Sequence, residues 1–346
     1  MILNKKDRNK EIETFIIENI EENSTKIIDL VATKFNITKQ AAGLHVKKLE
    51  KKGIIVSSGR TRNKIFQLAQ EIFNYTFDLS SNIEEDKVWR EQISEKIKEL
   101  PKNVFDICCY GFTEMLNNVI DHSGSDYVII EMIKTAKYIK FNINDSGIGI
   151  FEKIKQSLNL DDHLEALLEL SKGKLTTDPK NHSGEGIFFT SKMFDKFSIL
   201  SGNLFYLHYS NKKDFLLEDR EEGVKGTIIS MTVNTTSTRT LGSVFKGFES
   251  DEGVFSKTIV PVALAQYGDE NLISRSQAKR LLKRFEKFRE IMLDFSKIDQ
   301  IGQAFADEIF RVFNNNHPEI KIIPINYNDE VDSMIKRAKE RQTDID

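Results

Sequence analysis

Glu114 and Asn118 stand four residues apart, one helical turn, in the stretch FTEMLNNVIDHSG at 112–124. In the same stretch Phe112, Met115, Leu116, Val119 and Ile120 recur at the spacing of a helix with one buried face. The other stripe holds Glu114, Asn117, Asn118, Asp121 and His122. A solvated stripe is ordinarily Lys and Glu, and two adjacent Asn cost roughly half a kcal/mol each in helix propensity. The composition suits chemistry instead. An Asn side chain offers a neutral oxygen, fit for a hard cation that already carries phosphate charge. Glu114, on the same face, can polarise a water for attack on a terminal phosphate.

Two glycine-bearing segments follow. The strand-like run KYIKFNINDSGIGI ends in Asp145, Gly147 and Gly149, and NHSGEGIFFTSKMFDKFSIL brings Gly184 and Gly186 to a helix start. Glycines after a strand let backbone approach a ligand closely. Gly-x-Gly opening a helix points free N–H groups at an anion. A lone acid beside the first glycines can accept a bond from an exocyclic amine. DYVIIEMIK, NLFYLHYS, DFLLED and GTIISMTVN read as further strands, the last carrying Thr227.

Taken in order over about 106–234, EMLNN, DSGIGI, SGEGI and GTIISM resemble the N box, two glycine boxes and last strand of the GHKL family of ATP-binding domains. That family spans gyrase-type and chaperone ATPases, mismatch-repair ATPases, sensor histidine kinases and anti-sigma-factor serine kinases. The resemblance implies ATP and Mg2+ as cofactors. Asn118 would hold Mg2+ between the phosphates, and Asp145 would read the adenine amino group with help from Thr227. Gly147 and Gly149 would let the chain pass the nucleotide, Gly184 and Gly186 would contact phosphates, and Glu114 would be the general base. The family fold is an α/β sandwich with a mixed sheet. A lid would span about 151–183, with Lys172 and Lys174 either reaching the γ-phosphate or solvated.

Residues 1–70 pattern differently. Between Phe35 and Ala69 eight Lys/Arg face one acid, Glu50, a local charge of +7 in a chain whose net charge is −3. Periodicity predicts three helices: one through Ile12, Phe15, Ile16 and Ile20, one capped by Ser24 or Thr25, and one capped by Thr38 and stopped by Gly53. IIVSSGRTRNKIFQL then reads as two short strands around a basic turn. The set resembles the winged helix-turn-helix family, which implies double-stranded DNA as a partner. Lys39, Gln40, Gly43 and Leu44 would enter the major groove, while Lys47, Lys48, Arg60 and Arg62 would hold phosphates. Residues 71–103 read as a charged helical connector with Trp89, Ile93 and Ile97 on one face.

After a polar connector at 235–248, strand–helix–strand alternation predicts a parallel-leaning sheet backed by helices. IMLDFSKIDQIGQAFADEIF resembles the strand, loop and helix of STAS-type domains, and the block 237–346 resembles the STAS-like domain found behind GHKL modules. Where the related antagonists carry a phosphorylated Ser, this chain has Gly302 and Gln303, with Ser296 several residues early. An interaction or autoinhibitory module for a protein partner is the better expectation than a phosphoswitch.

The fold class expected is therefore multidomain α/β: a winged-helix head at 1–70, a connector at 71–103, a GHKL sandwich at 104–236 and a STAS-like domain at 237–346. No apolar run reaches the ~18 residues a membrane span needs, and the N-terminus has no secretory pattern. Cys108 and Cys109 are neighbours and form neither an ordinary disulfide nor a zinc set, which fits a reducing cytoplasm. The functional expectation is a cytoplasmic ATP-responsive DNA-binding regulator with slow hydrolysis. The alternative is an anti-sigma-type serine/threonine kinase acting on a partner protein. A sensor histidine kinase is disfavoured, since 71–105 contains no His. Turnover in the family can need dimerisation, which adds a homodimer to the partners to test.

Overall fold

The computed structural model describes residues 5–60, 64–175, 184–210, 215–217, 223–250, 253–266 and 270–343. It is a mixed α/β chain with three sheets among the described residues. The N-terminal part packs helices α1 (Lys5–Asn19), α2 (Ile27–Phe35) and α3 (Lys39–Lys51) with the antiparallel pair β1 (Ile55–Ser58) and β2 (Ile65–Leu68). Its core is separate and consists of apolar residues such as Ile16, Ile27, Val31, Val46 and Leu49. Thr38 caps α3 by accepting from the Ala41 N–H at 3.1 Å. The expected Ser24 or Thr25 cap on α2 is corrected: Lys26 takes the cap position without a side-chain bond, and the Ser24 carbonyl accepts from Phe66 N–H of β2.

The stretch expected as a helical connector is also corrected. It opens with strand β3 (Glu71–Asp78), an edge strand of a seven-stranded sheet paired antiparallel with β4 (Tyr127–Lys134). Phe73, Tyr75 and Phe77 alternate onto the core, a period of two that the surrounding charges obscure. Only then comes helix, α4 (Glu85–Val88) running into a wider π turn at Trp89–Ile93. Trp89, Ile93 and Ile97 are buried as the helical spacing requires, with the Trp89 ring 5.4 Å from Phe105 and 5.6 Å from Phe112.

Helix α5 (Lys102–His122) lies on one face of that sheet, its Phe112 ring 5.5 Å from Phe141 of β5 (Tyr138–Asp145). The chain continues through α6 (Ile150–Leu158), α7 (His163–Lys172), α8 (Gly186–Met193), β6 (Lys196–Gly202), β7 (Leu204–Tyr209), β8 (Phe215–Leu217) and β9 (Val224–Asn234). Strand order is β3-β4-β5-β9-β6-β7-β8. Every described pair is antiparallel, so the expected mixed sheet is corrected. The reason is topological. The helical crossover from β5 to β6 does bring β6 back parallel to β5, but β9 inserts between them and runs opposite to both.

The expected connector after β9 is partly helix: α9 (Leu241–Phe248), opened by a capping box between Thr240 and Ser243. The C-terminal sheet holds three parallel strands in order, β10 (Lys257–Pro261), β11 (Glu290–Asp294) and β12 (Lys321–Ile325). Around it lie α10 (Arg275–Leu282), α11 (Gln303–Asp307, extended by a π turn through Phe313), α12 (Asn314–Asn316) and α13 (Asp329–Thr343). Gly302 is a packing glycine, because a Cβ there would come 2.6 Å from Ile273 Cα. One continuous buried cluster runs from Val88 to Ala338, so the middle and C-terminal parts share a core. An aromatic knot of Phe188 and Phe189 of α8 against Phe245, Phe248 and Phe255 joins them.

Candidate functional site

A cavity opens where α5, the end of β5, the start of α6 and the start of α8 meet. Glu114, Asn118, Asp145, Gly149, Gly184, Gly186 and Thr227 all line it, although they come from four separate stretches of chain. Gly147 is next to it rather than on its wall. A Cβ at Gly147 would stand 1.9 Å from the Ser123 carbonyl oxygen, so this glycine lets the end of β5 pass the end of α5.

Asp145 is the last residue of β5 and is 4% exposed. Its carboxylate accepts from Gly147 N–H at 2.9 Å. Burial raises its pKa above the ordinary carboxylate value, opposed by the backbone donors Gly147 and Thr227. Thr227 faces it across the β5–β9 ladder and accepts from Ile150 N–H at 2.9 Å, tying the first turn of α6 to the sheet. The Thr227 hydroxyl proton points toward Ser201 Oγ at 3.5 Å, a weak bond that a better acceptor can replace. Gly149 has φ +89°, and a Cβ there would lie 2.7 Å from Ser201 Oγ.

Glu114 and Asn118 line the same cavity, half-buried on one face of α5. A Cβ at Gly186 would come 2.0 Å from Glu114 Oε2, so the carboxylate sits directly against the first residue of α8. The positive end of that helix favours the anion. Gly184 has φ +71°, and its carbonyl accepts from Leu175 N–H at 3.0 Å, which brings Leu175 to the rim. Among the described residues no group of three or more His, Cys, Asp or Glu could hold a metal. A divalent cation here would therefore take its remaining ligands from phosphate and water, beside the oxygens of Asn118 and Glu114.

Sequence reasoning missed Lys153, the one Lys or Arg among the described lining residues. Its ammonium donates to the His122 carbonyl at 2.7 Å, and burial lowers its pKa from the ordinary lysine value. The helical period after Gly149 would have found it, since Ile150, Lys153 and Ile154 share a face. His122 and Asn117 also line the cavity.

Lys172 and Lys174 are corrected on both expectations. Lys172 is fully buried, and its ammonium donates to Glu169 Oε1 at 2.6 Å and to the Lys283 carbonyl at 2.8 Å. Lys174 donates to the Lys287 carbonyl at 2.9 Å, over the rings of Phe255 and Phe288. Neither lines the cavity and neither is freely solvated; both face the C-terminal part. The rest of the expected lid divides: α7 is buried along most of its length, and 176–183 lie outside the described residues.

On the N-terminal part, Gln40, Leu44, Lys47 and Lys51 form an exposed stripe along α3, with Gly43 between them. Leu44 is 67% exposed. Lys39 is exposed and pairs with Asp29 at 2.8 Å. Lys48 and Lys52 both hold Glu13 of α1, at 2.6 and 2.9 Å. Lys48 is thus engaged within the fold, unlike Lys47. Arg60 is exposed, and Arg62 lies outside the described residues.

Comparison with known proteins bears on the C-terminal part. A family model described as a STAS-like domain of unknown function (DUF4325) matches residues 277–332, from within α10 to the start of α13. The C-terminal part therefore carries a STAS-like domain. The match does not extend to the cavity or to the N-terminal helices. No curated protein matches the chain. No helix among the described residues is long and apolar enough to cross a membrane.

Proposed function

We propose that the protein is an ATP-binding regulator of GHKL type, in which Mg·ATP in the middle cavity alters double-stranded DNA binding by a winged-helix head. The observation that carries the reading is the convergence of Glu114, Asn118, Asp145, Gly149, Gly184, Gly186 and Thr227 on one hollow. Each residue then has a task its surroundings suit. Asp145, buried and fixed by Gly147 N–H, accepts from the adenine amino group, and Thr227 keeps a hydroxyl proton to donate beside it. The α8 N-terminus meets the phosphates. Asn118 holds Mg2+, whose bound form screens the triphosphate charge. Glu114, beside Gly186, is placed next to that end of the nucleotide to accept a proton from an attacking water.

The head supports the second half of the reading. Gln40 and Leu44 can contact adenine and a thymine methyl, and Lys47, Lys51 and Arg60 are exposed for phosphates. The head is anchored at the start of β5, where Lys137 donates to the Glu18 carbonyl at 2.8 Å and Tyr138 to Glu21 at 3.2 Å. The same strand ends in Asp145. A nucleotide shifts DNA binding only by its difference in affinity between docked and released heads.

The test is retention of labelled duplex DNA by full-length protein at one fixed salt concentration, with and without Mg·ATP. The expected result is a nucleotide-dependent change that Asp145→Asn abolishes. Equal retention in both conditions overturns the coupling. Transfer of label from ATP to a partner protein, with no change in DNA retention, would favour the kinase reading.

A further inference from the structure

We propose that Arg284, supplied by the STAS-like domain, is a positioning residue for the nucleotide cavity: it fixes the segment 169–175 and so sets the cavity's rim and its affinity for adenine nucleotide. The proposal rests on the nucleotide reading above and deepens it by naming what controls the site.

Arg284 adopts φ 62°, in the left-handed region that L residues other than glycine rarely enter. That conformation aims a guanidinium, 14% exposed, at four acceptors on α7 and the residues just after it. Nη1 donates to Glu169 Oε2 at 3.0 Å and to the Glu169 carbonyl at 3.4 Å. Nη2 donates to the Gly173 carbonyl at 3.3 Å and to the Lys174 carbonyl. A planar fork suits several oxygens at once in a way a lysine does not. Four further bonds cross the same seam among the described residues: Lys172 to the Lys283 carbonyl, Lys174 to the Lys287 carbonyl, Thr258 Oγ1 to the Lys172 carbonyl at 2.7 Å, and Lys283 Nζ to Glu165 Oε2 at 3.3 Å.

The next residue after this clasp is Leu175, which lines the cavity. Its N–H bonds the Gly184 carbonyl, and Gly184 packs so closely on it that a Cβ would come 2.3 Å from Leu175 C. Two residues on, Gly186 meets Glu114 and opens α8. Arg284 itself is not on the cavity wall. Its effect must pass through the carbonyls of 173 and 174 to Leu175, Gly184 and the α8 N-terminus. Linkage then works in both directions: nucleotide binding must strengthen the docking of the STAS-like domain by the same factor that docking strengthens binding.

Full-length Arg284→Ala and Arg284→Gly test this. The glycine variant suits the left-handed backbone, so it removes the fork while keeping the turn. Either variant leaves Glu169 paired with Lys172. The first readout needs no nucleotide: amide hydrogen exchange at Leu175 and Phe189 should accelerate over wild type. The second is affinity for Mg·ATP, expected to fall about tenfold. Unchanged exchange at Leu175 overturns the positioning role. Accelerated exchange with unchanged affinity overturns the link from rim to binding. A wild-type protein that binds no adenine nucleotide overturns the nucleotide reading itself, and the exchange measurement tells that failure apart from the others.

Discussion

The head and the seam between α7 and the STAS-like domain are both rich in cations, and they treat them in opposite ways. On α3 the ammonium groups stay in water: Lys39 is 72% exposed in side chain even while paired with Asp29. At the seam Lys172 is fully buried, and Arg284 is nearly so, each on the same Glu169 carboxylate. Exposed pairs contribute about 0–1 kcal/mol, so the head's cations are available to a polyanion at little cost to the fold. Buried ions must be satisfied by protein, which makes the seam specific in geometry and intolerant of loss. Charge type alone does not separate the two cases; burial does.

Four experiments can break or sharpen that contrast. Glu169→Ala, which leaves Lys172 and Arg284 buried without their carboxylate, should destabilise by roughly 3–5 kcal/mol in urea denaturation. A loss below about 1 kcal/mol would show the seam to be open to water. Asp145→Ala should weaken Mg·ATP binding by about ten- to a hundredfold in calorimetric titration, since a buried reader leaves the adenine amine unpaired. An unchanged affinity removes Asp145 from the site.

Third, burial pushes the Lys172 ammonium down to about 8, against 10.5 for the free side chain. Between those values the unfolded chain binds more protons than the folded one, so this group's contribution makes stability rise with pH across that window. Below pH 8 the cost of burying the charge is fully present. The difference in stability between wild type and Lys172→Met should therefore shift in favour of wild type from pH 8 to 10. A flat difference would mean that the Glu169 charge fully offsets the effect of burial. Last and smallest, Lys47→Ala should change stability by less than about 0.5 kcal/mol while lowering the salt slope of DNA binding by about 1. Lys48→Ala, which leaves Glu13 with Lys52 alone, should cost stability instead and leave that slope nearer wild type.

Much of the cavity was legible before the fold. Asn118 was marked, with Asn117, by helix-disfavouring residues on a polar stripe, Glu114 by lying one turn before it, and the glycines by Gly-x-Gly after a strand and before a helix. The three head helices followed from period and caps, and the parallel C-terminal strands from strand–helix–strand alternation. What misled was context. Glu71–Asp78 alternates like a strand, but its exposed side carries Asn74, Thr76 and Asp78 and it opens on Glu71, so it reads as connector until β4 pairs with it. Lys172 and Lys174 looked like loop cations because nothing nearby in sequence announces Glu169's second partner, Arg284, more than a hundred residues on.

By itself, the sequence determined most of the helices and strands, β3 and α9 excepted, and which residues are chemically unusual, because propensity, periodicity and glycine conformation act over a few neighbours. Only the tertiary structure decided that β9 slips between β5 and β6. It alone brought Asp145 and Glu114 to one hollow, and buried two cations on a single carboxylate. Those outcomes depend on which distant surfaces exclude water from one another, and no local pattern carries that information.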